Sequence, residues 1–316
     1  LGQVLYENGS EVLLWHLESD FVDKINCTHE HPFLPGINLS PELSFTDSLE
    51  EIEKYGDMMV SALPSQVVRN VLNKFSSGWA KPVISVSKGI ENKTGMRMSE
   101  VISSTLDLSL DNIIILSGPS HAEEVARKYP TAIVAACTDV IRARNIQKLF
   151  STEYFRVYSS IDVIGVEFGG AVKNIIALAA GICHGLNFGD NTTAALVTRG
   201  LEEITRLGTT LGAKRSTFSG LSGIGDLVVT AFSPHSRNRQ VGIRIGKDEQ
   251  LNDILSSMEM VAEGVETTRS LHILSQKHNI EMPICEQIYK VLFQGIPPRQ
   301  AILDLMGREL VDEHPI

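Results

Sequence analysis

Three short segments in the second half of the chain combine cations, a carboxylate and glycines in ways that suit proton transfer and anion binding. In Gly169-Gly170-Ala171-Val172-Lys173-Asn174, a lysine and an asparagine stand at the expected start of a stretch too apolar to face water. An ammonium held there loses hydration, and burial lowers its proton affinity towards the range useful for proton transfer near neutral pH. A lysine that snorkels to the surface is the equal alternative. In Ser222-Gly223-Ile224-Gly225-Asp226-Leu227 a carboxylate follows two glycines. Asp after Gly is ordinary in turns and helix caps, so Asp226 gains meaning only if it pairs with Lys173 and orients it. Ser236-Arg237-Asn238-Arg239 offers guanidinium, amide and hydroxyl donors, which suit a phosphate. A solvated charged face explains the same residues.

Lys88, in Ser87-Lys88-Gly89-Ile90-Glu91, and the segment Gly118-Pro119-Ser120-His121-Ala122 each follow an apolar run of strand type. In doubly wound sheets ligands gather outside the carboxyl ends of strands, which makes these loops candidates for the same cleft. Each alone is ordinary loop chemistry.

The elements that must position these groups fall into two halves. Runs at Val12–Trp15, Met58–Leu63, Val83–Ser87, Ile113–Leu116, Ile133–Cys137 and Arg156–Tyr158 alternate with amphipathic stretches, the pattern of a parallel α/β sheet with crossover helices. After about Ile161 the pattern becomes helical. Val172–Leu186 has no polar face and reads as a helix buried on most sides, and Leu196, Leu201, Ile204, Leu207 and Leu211 form a stripe that leaves Glu202, Glu203 and Arg206 for solvent. The expected division is a Rossmann-like domain over residues 1–161 and an all-helical domain over 162–316.

With 316 residues, 43% of them hydrophobic and 21% charged, the chain has material for two folded domains. A net charge of −10 argues against nucleic acid or an anionic membrane as partner, so positive charge for an anionic ligand has to be gathered locally. No run is read as long and apolar enough for a membrane span, and no signal peptide is recognised, so a cytoplasmic location is expected. Cys27, Cys137, Cys183 and Cys285 lie far apart, which predicts buried reduced thiols and neither disulfide nor zinc site. His184, His272, His278 and His314 read as surface or core histidines, Met96, Met98, Met258 and Met260 as packing residues, and Arg142 and Arg144 as solvated.

The residues from Leu1 to Gly9 resemble the later turns of a helix that leads into the first strand. A Rossmann unit places a strand and a G-x-G-x-x-G turn before that helix, because the pyrophosphate sits on the helix amino terminus. Neither is in the sequence, so an amino-terminal truncation is expected. Were the truncation real in solution, the sheet would lose its central strand and much of its hold on a dinucleotide.

Together with Ser117-Gly118-Pro119-Ser120, Phe155-Arg156-Val157-Tyr158, Thr198-Arg199-Gly200 and Met282-Pro283-Ile284, these segments in their order resemble the bacterial-type glycerol-3-phosphate dehydrogenases that use NAD or NADP. The likeness runs from about Leu1 to the carboxyl terminus. It implies a reversible hydride transfer between sn-glycerol 3-phosphate and dihydroxyacetone phosphate, supplying glycerol phosphate for phospholipid synthesis. By matching position, Lys173 would exchange the proton of the C2 hydroxyl, with Asp226 beside it. Lys88, Gly118, Ser120, Asn174, Asp226, Ser236, Arg237 and Asn238 would contact substrate. Lys88, Ala122, Arg237, Val261 and Glu263 would lie around the dinucleotide. Where the family usually carries a basic residue or histidine near the adenosine end, this chain has Leu17 between His16 and Glu18. Glu18 can accept from a ribose 2′-hydroxyl and repels a 2′-phosphate, which favours NAD, although His16 works the other way.

Two rivals remain at this level. A related two-domain hydroxy-acid dehydrogenase would share the lysine and the helical domain, and only the Ser236-Arg237-Asn238 cluster separates it. A non-catalytic binding or assembly protein would have lost the dinucleotide site. A homodimer is a further expectation, since closed two-fold pairing is the commonest assembly of soluble chains.

Overall fold

The computed structural model describes residues 1–75, 78–258, 261–310 and 312–313. Met260 and His314 lie outside the described residues. The first half runs α1 (Gly2–Glu7), β1 (Leu13–Trp15), α2 (Ser19–Thr28), β2 (Ser44–Thr46), α3 (Leu49–Tyr55), β3 (Met59–Ser61), α4 (Val68–Leu72), β4 (Val83–Ser85) and α5 (Met98–Leu106). It continues with β5 (Ile113–Ser117), α6 (Ala122–Ala126), β6 (Thr131–Ala136), α7 (Val140–Phe150) and β7 (Phe155–Ser160). The strands form a parallel pair, β1-β2, and a five-stranded sheet in the order β3-β4-β5-β6-β7. That sheet is parallel except at β5-β6, where Leu116 pairs antiparallel with Ala135. The run-and-loop reading located every one of these strands except β2, whose Ser-Phe-Thr carries one large apolar residue and so no pattern.

Alternation within the strands fixes what covers each face. Ile113 and Ile115 pack with Val83, Met98, Val101 and Val166 on one side of the sheet. Ile114 and Leu116 pack with Ile84, Ile146 and Phe150 on the other.

The helical half comprises α8 (Val163–Gly185), α9 (Asp190–Thr210), α10 (Arg215–Phe218), a π-helical turn at Leu221–Gly225, α11 (Asp226–Phe232), α12 (Arg237–Gly246), α13 (Leu251–Ser256), α14 (Glu263–Lys277), α15 (Pro283–Phe293) and α16 (Pro298–Met306). By length and composition α8 passes for a membrane span, contrary to the expectation that no such run exists. Its most apolar window is 89% buried inside the protein, so it serves as the axis of the second core. Helix α12 crosses it backbone to backbone: a Cβ on Gly181 would meet the Arg239 carbonyl oxygen at 2.1 Å, and one on Gly242 the Leu178 oxygen at 2.1 Å. Glycines thus set the distance at which the Arg237 end of α12 approaches α8.

Three expectations are corrected. Lys173 lies in the middle of α8, because the helix begins ten residues earlier, where Asp162 caps it by accepting from the Gly165 amide. Cys27 is exposed, although Cys137, Cys183 and Cys285 are buried and all are free. Glu203 is 4% exposed rather than solvated. Its carboxylate accepts from the Ile284 amide at 2.7 Å and the Cys285 amide at 3.2 Å, satisfying the first turn of α15, while burial pushes its pKa up to about 7. Glu203→Ala strands these buried amides and is expected to lower unfolding stability by about 2–4 kcal/mol, read by denaturant titration.

The remaining side chains are placed much as read. Met98 is core with Met96 at its edge, Met258 packs against the separate core of the helical half, and Arg142 pairs with Asp139 at 3.4 Å on α7. His272 packs flat on Tyr289 and meets Glu286 at 2.8 Å.

Candidate active site

Lys173 and Asp226, separated by 53 residues, form a buried ion pair. They are 5% and 1% exposed. The π-helical turn before Asp226 creates the meeting: it presses on α8 so closely that a Cβ on Gly169 would lie 2.2 Å from the Ser222 carbonyl oxygen. Asp226 then opens α11, continuing directly from that turn. Lys173 Nζ also donates to Thr230 Oγ1 at 2.8 Å. Thr230 is a site residue that the sequence did not reveal; its place four residues past Asp226, one turn along the same helix face, was the available signal.

Lys88 reaches the same carboxylate from the loop after β4, donating to Asp226 Oδ2 at 2.8 Å and to the Gly118 carbonyl at 3.3 Å. One carboxylate therefore bridges two ammonium groups. Burial pulls the Lys173 pKa down against the attraction of Asp226, and Lys88 adds to the fall, leaving it at about 7. For Asp226 burial acts upward, but Lys173 and Lys88 outweigh it and hold the carboxyl below its usual range. The result is a constant carboxylate beside an amine that exchanges its proton near neutrality. Two ammonium groups around one carboxylate also leave local positive charge in an acidic protein.

Arg237 is exposed at the start of α12 and donates to the Val261 carbonyl at 2.9 Å, which leaves further guanidinium N–H groups for a ligand. Its neighbours are partly committed within the protein. Ser236 Oγ caps α12 through the Arg239 amide at 3.3 Å, and Asn238 Oδ1 accepts from the Gly264 amide at 2.8 Å, tying α12 to α14. Glu263 Oε1 accepts from the Ser65 amide at 2.8 Å, across from the strand-rich half. Burial raises the Glu263 carboxyl pKa, opposed by that amide and by the nearby charges of Arg237 and Lys88. Glu263 thus feels the charges of both Arg237 and Lys88, and Lys88 contacts Asp226, so these predicted residues lie near one another where the strand ends meet the helical half.

Of the other predicted positions, Gly118 is buried at φ +146°, where a Cβ would meet the Ile133 Cα at 2.9 Å. Ser120 Oγ donates to the Gly118 carbonyl at 3.1 Å. Asn174 is buried next to Lys173, whereas Ala122 and Val261 are exposed. The donor set fits a nicotinamide dinucleotide, with cations at Lys88 and Arg237, a carboxylate at Glu263 and apolar surface at Val261. Lys88 follows β4, Arg237 and Glu263 open α12 and α14, and Val261 lies just before α14. Glu18 is exposed at the amino-terminal cap of α2, next to Leu17 and to His16, whose ring stacks on Phe21 at 4.0 Å. Among the described residues no group of three His, Cys, Asp or Glu could hold a metal ion.

Comparison with known proteins bears on the whole chain. Residues 1–143 match the model of the NAD-dependent glycerol-3-phosphate dehydrogenase N-terminus, and residues 162–303 match that of the C-terminus. The chain is 49% identical to a glycerol-3-phosphate dehydrogenase [NAD(P)+] of Carboxydothermus hydrogenoformans, covering 99% of this chain and 94% of that protein. It is 48% identical to the protein of the same description in Geobacter sulfurreducens, covering 99% and 95%. A crystal structure of glycerol-3-phosphate dehydrogenase from Coxiella burnetii superposes with a TM-score of 0.91 at 33% identity, over 98% of this chain and 95% of that one.

Proposed function

The chain belongs to the NAD-dependent glycerol-3-phosphate dehydrogenase family, and from that premise we propose how its own residues carry the reaction. The activity is that of an NAD(P)-dependent oxidoreductase acting on a CH–OH group, interconverting sn-glycerol 3-phosphate and dihydroxyacetone phosphate. The dinucleotide, when bound, accepts or returns the hydride. Lys173 does the proton work. As a neutral amine it takes the C2 hydroxyl proton during oxidation; as an ammonium it returns that proton to the ketone oxygen during reduction. A pKa of about 7 keeps both forms accessible. Asp226 and Thr230 aim the amine, and Lys88 stands on the other side of the carboxylate. Arg237 holds the phosphoryl group, whose binding energy orients a reacting carbon that it does not touch.

The observation that carries this reading is the buried Lys173–Asp226–Lys88 bridge, with Glu263 close enough to feel the charges of both Lys88 and Arg237. Turnover of glycerol 3-phosphate is its test, set against an unphosphorylated 2-hydroxy acid. Arg237→Ala is expected to raise the KM for glycerol 3-phosphate about 10- to 100-fold, the worth of a charge-assisted hydrogen bond or two. Equal turnover of the unphosphorylated acid by the unaltered enzyme would favour the hydroxy-acid rival, and no dinucleotide binding would favour the non-catalytic one.

The same proposal divides the chain into a dinucleotide-binding unit over residues 1–161 and a substrate-binding unit over 162–316, supported by the confinement of the described strands to the first. Glu18, as a partner for the ribose 2′-hydroxyl, favours NAD over NADP. Four unpaired cysteines suit the reducing cytoplasm. A homodimer is the expected assembly, which light scattering measures.

A further inference from the structure

Beside this site the His121 ring carries a nitrogen that finds no partner among the described residues. His121 follows Gly118-Pro119-Ser120 at the position that opens α6, yet its side chain makes no cap bond to that helix. Its Nε2 is buried without a hydrogen-bond partner. Burying an unpaired imidazole nitrogen is costly, and such an atom at a ligand cleft calls for a partner that arrives with the ligand. On the far side lies His235, its ring centroid 6.0 Å away, directly ahead of the Ser236-Arg237-Asn238 cluster.

Charges around the ring agree with that placement. Burial and then the Lys173 ammonium lower the proton affinity of His121, while Glu123 and Glu124 of its own helix and Asp226 of α11 pull the other way. A ring that feels both members of the buried pair and lies tilted beside His235, two residues before Arg237, stands between the proton-transfer group and the phosphate cluster. As a neutral imidazole with the proton on Nε2, it is a directional donor that adds no further cation beside Lys88 and Lys173.

We infer that His121 is a substrate-contacting, specificity-determining residue whose Nε2–H donates to the phosphoryl group held by Arg237. The inference rests on the phosphorylated substrate proposed above. It assigns this histidine to recognition of the anion rather than to proton transfer, and separates its task from that of Lys173.

The test compares His121→Phe, which keeps a ring without a donor, with His121→Gln, whose amide nitrogen reaches about as far as Nε2. Steady-state kinetics with glycerol 3-phosphate and competitive inhibition by inorganic phosphate are measured on the whole enzyme. For the Phe variant the KM and the phosphate inhibition constant are expected to rise together, about 10- to 100-fold, with kcat nearly unchanged. The Gln variant recovers most of the loss, which a ring needed only for packing would not allow. Unchanged KM in the Phe variant overturns the inference. So does a KM that rises while phosphate inhibition stays constant, because the donor would then serve the carbon end of the substrate. Absence of turnover by the unaltered enzyme overturns the functional reading and this inference with it, so that measurement comes first and distinguishes the two failures.

Discussion

Lys173→Met is expected to lower kcat for glycerol 3-phosphate oxidation by about a hundred- to ten-thousand-fold while dinucleotide affinity is kept, because the variant loses the proton acceptor and little else. An alcohol releases hydride only as its hydroxyl proton departs, and neither Asp226 nor Lys88 replaces this amine. Asp226 already holds its carboxyl below the usual range and is committed to Lys88 at 2.8 Å. Lys88 comes to that carboxylate from the opposite side, with its second bond directed to Gly118. The fold should tolerate the change. Methionine fills the same slot among the apolar residues of α8, the desolvation cost of the ammonium is removed, and Asp226 keeps one cation. Turnover within tenfold of the unaltered enzyme, measured on a variant with an unchanged circular dichroism spectrum, would remove Lys173 from the proposed chemistry.

The parts of this site that were legible in the sequence share a cause: their signals are local. Lys173 stands out because a cation interrupts an apolar helix, Asp226 because glycines precede it, and Arg237 because several donors crowd into four residues. The strands of the larger sheet are legible for a similar reason, since buried strands are short continuous apolar runs. What escaped depends on contacts between distant segments. Glu203 has the same sequence surroundings as its half-buried neighbour Glu202, and only the arrival of α15 some 81 residues later turns it inward. The antiparallel step at β5-β6 leaves no trace in composition. Thr230 is one of many threonines until Asp226 and Lys173 meet at its hydroxyl. Even the position of Lys173 within α8 was misjudged, because the apolar run was read from Val172 onward and the helix extends through the glycines at 165, 169 and 170. Those glycines are the flat surface on which Asp162, the π-helical turn and the Lys88 loop pack.

Asp226→Asn provides the strongest separate test of how the amine is tuned. In the unaltered enzyme the Lys173 pKa of about 7 is a balance in which burial pushes down and the Asp226 carboxylate pulls up. An amide keeps the shape but loses the charge. Burial and repulsion from Lys88 then act unopposed, so the amine titrates below 7. Oxidation needs the neutral amine, hence kcat/KM for glycerol 3-phosphate rises with pH through about 7 in the unaltered enzyme. Reduction needs the ammonium and falls over the same interval. In the variant both transitions move to lower pH. The rate near neutrality also drops, by about 100-fold, because the amine has lost the partner that aims it and is a weaker base. That drop is expected in both directions by the same factor once dinucleotide binding is included, since an enzyme cannot alter the overall equilibrium. A profile whose midpoint stays at about 7 after the substitution would mean that the carboxylate holds the helices together without setting the proton affinity of the lysine.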